Sequence, residues 1–482
     1  MNSVYQSPRV LKPTVPLVVV LVLACGAQLM VVLDGLIVNV ALPQMQAELG
    51  LSASAQQWVV NGYLISFGGL LLLAARATDL IGHRKIFLAG VTVFTLASLA
   101  GGLAHDPATL LAARLVQGIG AAALAPSSLS LLTMTHTGEQ RTRALSIWSA
   151  TSGSAGALGL VLGGAITSGL GWRWVLLINV PIGAALWISA SASLIPSHNR
   201  DRRPLDLPGA VTVTLGAAAL TFGISQVGGY GWTSERVIVA VLAAAALLGL
   251  FVVAEQRGPA PLVQLSILRR GNILVANVIV AGLGAIMTAT LYFLSLYQQR
   301  VLGDSPLRTG LALVPMSAVL TLGAITSKSL LPRFGARRLV VAGGLVMAGG
   351  LVWLATISAH SDYLPHILGP TLVWAAGASI VTLPCVALAT AGVDAEHAGL
   401  ASGLVNTARQ TGGAMGLAAL ATVASRATAH SRSTESLDRV VHGYSVAMLV
   451  AGGIAVLVAL VALGPGRTKR WKAVGSDTIA DR

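Results

Sequence analysis

Charge is what this sequence has least of. Only 10% of its 482 residues are charged, against about 25% in a soluble chain, so a water-facing surface of this size cannot be covered. Intrinsic disorder is excluded too, because it requires low hydrophobicity and 55% of this chain is hydrophobic. Cysteine is nearly absent: Cys25 and Cys385 both lie in apolar runs, which argues against a disulfide framework and offers no metal-ligand spacing. Acid is scarcer than base, 17 residues to 31, leaving a net charge of +14. Whether that points to nucleic acid depends on where the positive charges sit.

What the chain has in plenty is apolar runs of membrane length, and its mean hydropathy is +0.78. With a window of about 20 residues, fourteen spans emerge. They lie at roughly 16–40, 58–76, 86–104, 108–132, 144–168, 173–195, 208–226 and 236–254, then 272–298, 309–330, 338–357, 366–390, 400–424 and 443–463. Turns rich in Gly, Pro and charge separate them, such as Arg202-Arg203-Pro204 and Gly303-Asp304-Ser305-Pro306. The first run is too long for a signal peptide and lacks a cleavage-type site. The connections are short, so no extramembrane segment holds a catalytic domain and the function must lie among the helices. The expected class is an all-α integral membrane protein.

The basic residues then fix an orientation by the positive-inside rule. With the N-terminus in the cytoplasm, 22 of the 31 fall in inside segments, seven fall outside, and Arg114 and Arg409 fall within spans. Both termini are therefore expected in the cytoplasm, and the net charge sets topology rather than forming a nucleic-acid patch. One connection dissents: 391–399 should be inside, yet carries only Asp394 and Glu396.

A charge inside a span costs about 2.5–3.5 kcal/mol on insertion scales, which makes the few that occur informative. Asp34 is the one acidic residue well inside an apolar run, on a face with Met30, Val31, Ile37 and Val38. It is either a carboxyl hydrogen-bonded to a neighbouring helix or a proton carrier, since desolvation favours the neutral form of a carboxyl. Arg114, Gln117 and Gly118 share one face of span 4 through their i, i+3, i+4 spacing. An arginine does not deprotonate; it is either a static ion-pair member or tunes a facing carboxylate by its distance, and Asp34 is the obvious partner. Span 13 carries Ser402, Asn406, Arg409, Gln410 and Gly413 on one face, which either lines a wet cavity or glues helices. Span 5 holds Gly153, Gly156, Gly159, Gly163 and Gly164, spacings that allow close helix approach.

These motifs together resemble the major facilitator superfamily, and within it the fourteen-span drug:proton antiporters. The resemblance covers nearly the whole chain. Leu33-Asp34-Gly35 through Pro43 is similar to that group's first-helix signature; Ala75-Arg76-Ala77-Thr78-Asp79-Leu80-Ile81-Gly82-His83-Arg84-Lys85 to the cytoplasmic gate motif; Arg114-Leu115-Val116-Gln117-Gly118-Ile119-Gly120 to the fourth-helix motif linked to proton coupling. Gly171-Trp172-Arg173-Trp174 with Ile178-Asn179-Val180-Pro181-Ile182-Gly183, and Ser402-Gly403-Leu404-Val405-Asn406-Thr407-Ala408-Arg409-Gln410, resemble the fourteen-span branch. Departures are Ala75 for the gate's opening glycine, Leu80 for its basic residue, and Leu160 for the proline of the antiporter motif, where a weaker kink is expected.

The resemblance implies two six-helix halves with two helices inserted between them: residues 1–195, a central section 196–271, residues 272–463, and a basic cytoplasmic tail 464–482. Arg333-Phe334-Gly335-Ala336-Arg337-Arg338 then echoes the gate motif in the second half. It implies rocking of the halves around a cavity, with Asp34 and Arg114 in proton coupling and Asp79, Gly82, Arg84 and Lys85 in a cytoplasmic gate. Gln117, Gly118, Gly159, Gly163 and Gly164 are placed in the antiporter and helix-packing motifs, and Asn61, Asn406, Arg409 and Gln410 are candidates for the cavity. The expected function is proton-driven efflux of small lipophilic compounds, with the proton gradient as energy source, no cofactor and no metal. The partners are the substrate, protons and the bilayer, and a monomer is expected. Arginine outnumbers lysine 26 to 5, which with abundant Ala and Gly points to a GC-rich bacterium, hence its cytoplasmic membrane. An exporter of an endogenous metabolite, peptide or siderophore shares nearly every motif. A polytopic membrane enzyme needs a catalytic constellation at one interface, whereas His136, His198, His360, His366, His397, His430 and His442 are scattered over loops without a repeated partner.

Overall fold

The computed structural model describes residues 16–195, 205–258, 261–263, 266–267, 272–390 and 398–464. The Arg200–Arg203 run, Arg269 and Arg270, the dissenting acids Asp394 and Glu396, and nearly all of the basic tail lie outside them. Among the described residues fourteen long helices account for the fold: α1 Leu17–Leu49, α2 Ala53–Ile81, α3 His83–Gly102, α4 Pro107–Thr135, α5 Gly138–Gly169, α6 Arg173–Ser193, α7 Leu207–Tyr230, α8 Glu235–Arg257, α9 Ile273–Arg300, α10 Pro306–Phe334, α11 Ala336–Leu354, α12 Leu364–Thr390, α13 Ala398–His430 and α14 Ser436–Leu463. All but α13 are long and apolar enough to cross a membrane; α13 carries the polar stripe of span 13.

Several helices outrun the apolar windows, α1 with 33 residues and α5 with 32. Proline sets the internal breaks. α6 is interrupted at Ile178, just before Pro181, and α10 at Leu313, just before Pro315. α5 runs unbroken for 32 residues, with Leu160 in place of the motif's proline. Connections are tight: Gly82 (φ 106°) and Gly335 (φ 77°) each take a left-handed conformation that stops one helix and starts the next. They occupy matching places, after the second helix of each half, which is where the echo in the sequence put them. At the loop before α4, Asp106 caps the helix, and the hydroxyl and amide of Thr109 hold its exposed carboxyl below the usual carboxylate range.

Helices α1–α6 and α9–α14 form the two halves; α7 lies against one seam between them, and α8 packs on α7. α7 touches both halves: Thr214 packs on Gly69 of α2, while the Ile224 and Val227 carbonyls accept from Thr422 and Arg426 of α13. At the end of the bundle distal to Leu17 and Leu463 the halves are sealed. Gln56 Oε1 accepts from Tyr292 Oη (3.3 Å) and Arg300 Nη2 (3.0 Å). Ser295 and Gln299 donate to the Asn39 and Val40 carbonyls at 2.8 and 2.9 Å. The amide of Leu307 donates to Ser168 Oγ at 3.0 Å.

Candidate functional site

The face of α1 read from the sequence is buried throughout: Met30, Val31, Ile37 and Val38 are at most 3% exposed, and Asp34 is wholly buried. Such a carboxylate is tolerated only if its oxygens are met by donors, and they are. Arg114 Nη1 donates to Oδ2 at 2.6 Å. Gln117 Nε2 and Asn179 Nδ2 donate to Oδ1 at 2.7 and 3.0 Å. Three donors and no acceptor around the carboxyl describe its ionised form.

The same contacts fix the arginine. Arg114 is 1% exposed; its Nε donates to the Val59 carbonyl at 3.0 Å, and Nη1 also donates to Gln117 Oε1 at 2.6 Å. The guanidinium stacks on Tyr63, 4.5 Å from the ring centroid, and Tyr63 Oη donates to the Val31 carbonyl. Gln117 reaches on to Ser98 Oγ at 2.8 Å. The one-face spacing on α4 thus delivers two adjacent donors, at i and i+3, to one carboxylate.

Glycines bring these helices close enough. A Cβ on Gly118 would meet the Tyr63 carbonyl at 2.5 Å, so α4 lies directly on α2. Gly159 and Gly163 face Leu33, Leu36 and Ile37 of α1, flanking the Asp34 turn, with Ile37 O 2.9 Å from a Cβ on Gly163. Gly164 faces the other half, against Pro306 O and Leu307 Cα at 2.5 and 2.8 Å. The glycine run therefore joins the Asp34 helix to the inter-half seal.

The remaining predicted residues distribute differently. Asn61 is wholly buried, and neither of its side-chain polar atoms has a hydrogen-bond partner. On α13, Arg409 is exposed and Nη2 donates to Asn406 Oδ1 at 3.0 Å, while Gln410 packs against Gly68 of α2. In the gate motif, Gly82 makes the turn and Arg84 Nη2 donates to the Ser191 carbonyl at the end of α6, a helix-end contact, at 2.7 Å. Asp79 and Lys85 are exposed at the same end of the bundle.

Sequence reasoning missed Asn179, Ser98 and Tyr63 as site residues. Asn179 had a signal, an amide in an apolar span beside Pro181, but nothing in spacing ties α6 to α1. Replacing Asn179 with Leu removes one donor to the ionised carboxyl, and hydrogen bonds to charged groups contribute about 1.5–3 kcal/mol. A melting temperature lowered to match is expected for Asn179→Leu in detergent; an unchanged one would deny Asn179 that role.

The relatives agree with this architecture. The family model of the Major Facilitator Superfamily matches residues 24–417. Cephamycin export protein CmcT of Amycolatopsis lactamdurans is 43% identical over 416 residues, 85% of this chain and 86% of that protein. Puromycin resistance protein pur8 of Streptomyces alboniger is 38% identical over 478 residues, 95% of this chain and 93% of its own. Among solved structures, the peptide transporter POT in complex with sulfate has a TM-score of 0.66 at 13% identity, covering 96% of this chain and 95% of that one. The inward-open xylose transporter XylE from E. coli scores 0.62 at 14%, covering 94% and 98%; at such identity the likeness is one of fold. On its profile, its relatives and its helical architecture, the chain belongs to the major facilitator superfamily.

Proposed function

We propose that this transporter exports small lipophilic compounds of antibiotic type, driven by protons moving inward. The observation that carries the reading is the buried Asp34 carboxylate, held by Arg114, Gln117 and Asn179 inside the first half of the bundle. In a proton cycle Asp34 takes a proton from outside and releases it inside, and Arg114 changes its proton affinity between the two states of the bundle. The names of relatives, which include cephamycin and puromycin and also tetracenomycin C, supply the antibiotic class. A neutral or weakly acidic amphiphile suits a chain whose spans hold one deep carboxylate against two arginines. Self-resistance of a producing bacterium follows from such a substrate.

In this reading the protein works as a monomer in the bacterial cytoplasmic membrane with both termini inside, so the distal seal closes the outward face. Asn61, Asn406, Arg409 and Gln410 contribute to the substrate cavity, and Asp79, Gly82, Arg84 and Lys85 latch the inner gate. One pH unit supplies about 1.4 kcal/mol per proton and 100 mV adds about 2.3 per charge. Together these support a gradient of roughly a few hundredfold per coupled proton.

The test is substrate accumulation in proteoliposomes under an imposed pH gradient, with puromycin as probe. Wild type is expected to accumulate it and to carry a matching proton flux. Asp34→Asn is expected to retain exchange at equilibrium while losing accumulation above it. Uphill accumulation by Asp34→Asn would remove Asp34 from the coupling step.

A further inference from the structure

The inserted helices carry a second buried carboxyl that the Asp34 cycle does not use. Glu255, at the end of α8, is 5% exposed. Its Oε2 accepts from the amide of Val263 at 2.9 Å, and its Oε1 is buried without a partner. Across from it, Asp206 caps α7: Oδ1 accepts from the amide of Gly209 at 2.9 Å, and Oδ2 is likewise buried without a partner. Both unpartnered oxygens lie against the bare side of Gly209. A Cβ there would stand 3.0 Å from Glu255 Oε1 and collide with Asp206 Oδ2.

Two like charges facing one gap disfavour each other's ionised form, and two ionised carboxylates, neither of whose facing oxygens has a partner among the described residues, have no donor to offer each other. A single proton resolves both vacancies. The positive end of α7 favours charge on its cap, Asp206. The proton therefore belongs on Glu255 Oε1, donating to Asp206 Oδ2, while Oε2 keeps the Val263 amide. From α7 the titratable group facing Glu255 is Asp206. On α8, Arg257 is exposed two residues on, and segment 261–263 brings Pro261, Leu262 and Val263.

The held segment sits where the halves meet. Val263 packs with Ile267 and Ile273 against Leu72 of α2 and Leu400 and Leu404 of α13, and Leu72 also touches Gly403. We propose that Asp206 and Glu255 share one proton across Gly209, a second one beside that of Asp34 and independent of what the transporter carries.

The experiment is pH-difference infrared spectroscopy of the full chain in lipid nanodiscs, following the protonated-carboxyl band. Wild type is expected to lose one such band as pH rises. Glu255→Gln is expected to lack that band altogether. Asp206→Asn, which still caps α7, should shift its loss to lower pH by about one unit or more, and Asp34→Asn should retain it. A band that survives Glu255→Gln, or one whose loss is unmoved by Asp206→Asn, overturns the proposal. Folding of each variant is read from its monodisperse elution.

Discussion

Arg114→Ala is expected to cost about 3–5 kcal/mol of stability, because it leaves the Asp34 charge buried without its counter-charge. The surviving donors, Gln117 and Asn179, are neutral and both serve Oδ1, so Oδ2 loses its only described partner. The lost guanidinium also vacates the Val59 carbonyl and the face of Tyr63. The variant then has two outcomes: it fails to accumulate in the membrane, or, on the proton cycle proposed above, it folds but no longer couples. Arg114→Lys should rescue little, since an ammonium on a flexible stem cannot reproduce the planar fork that reaches Asp34, Gln117 and Val59 together. Asp34→Asn combined with Arg114→Gln removes both charges and is expected to recover most of the lost thermal stability while remaining uncoupled. Melting temperatures of the four proteins in detergent, with proton flux in proteoliposomes, test this. Wild-type stability and coupling in Arg114→Ala would show the ion pair to be dispensable.

Gly412→Ala is expected to be nearly as damaging, by a different mechanism. A Cβ at Gly412 would run into the carbonyl oxygen of Ala281 and lie 2.5 Å from its Cα, so it meets backbone, which cannot swing aside as a side chain does. The neighbouring turns are as close: Gly416 lies against Ala285 and Gly284 against the Arg409 carbonyl. Separating α13 from α9 disturbs this contact over three turns, and the expected cost is about 3 kcal/mol, the upper end of ordinary overpacking. Gly453→Ala is the control, because nothing lies within 4 Å of a Cβ there. Helix propensity alone predicts a gain of up to about 1 kcal/mol at that position. Equal melting temperatures for the two variants would mean that the α9–α13 contact yields more than its geometry implies.

The membrane class, the number of helices and most of their positions were legible because lipid leaves the backbone little choice. A run of apolar residues of bilayer length must pair its own N–H and C=O groups as a helix. Arg114 and Gln117 were legible as a pair by their spacing on α4, and Asp34 by its cost. Gly82 and Gly335 were legible as punctuation from the repeated Gly-and-basic pattern.

Other features were hidden. The span read at 144–168 gave no sign that its glycines divide, Gly159 and Gly163 to α1 and Gly164 to α10, since spacing states that a face is small without naming its neighbour. That Asn61 is wholly buried with both polar atoms unpartnered was equally hidden, since spacing along α2 does not say what packs over it. Glu255 carried no signal in the sequence, because its burial depends on α7 and on Val263 folding over it.

By itself the sequence determined that this is a polytopic membrane protein, through the scarcity of charge its opening numbers record, and which few ionised groups the membrane had to accommodate. Only the tertiary structure decided which of them meet. Asp34, Ser98, Arg114 and Asn179 come from four helices up to 145 residues apart, and Asp206 and Glu255 from two more. Periodicity relates residues along one helix. The approach of one helix to another is set by packing over the whole bundle, down to the glycines that admit a facing backbone.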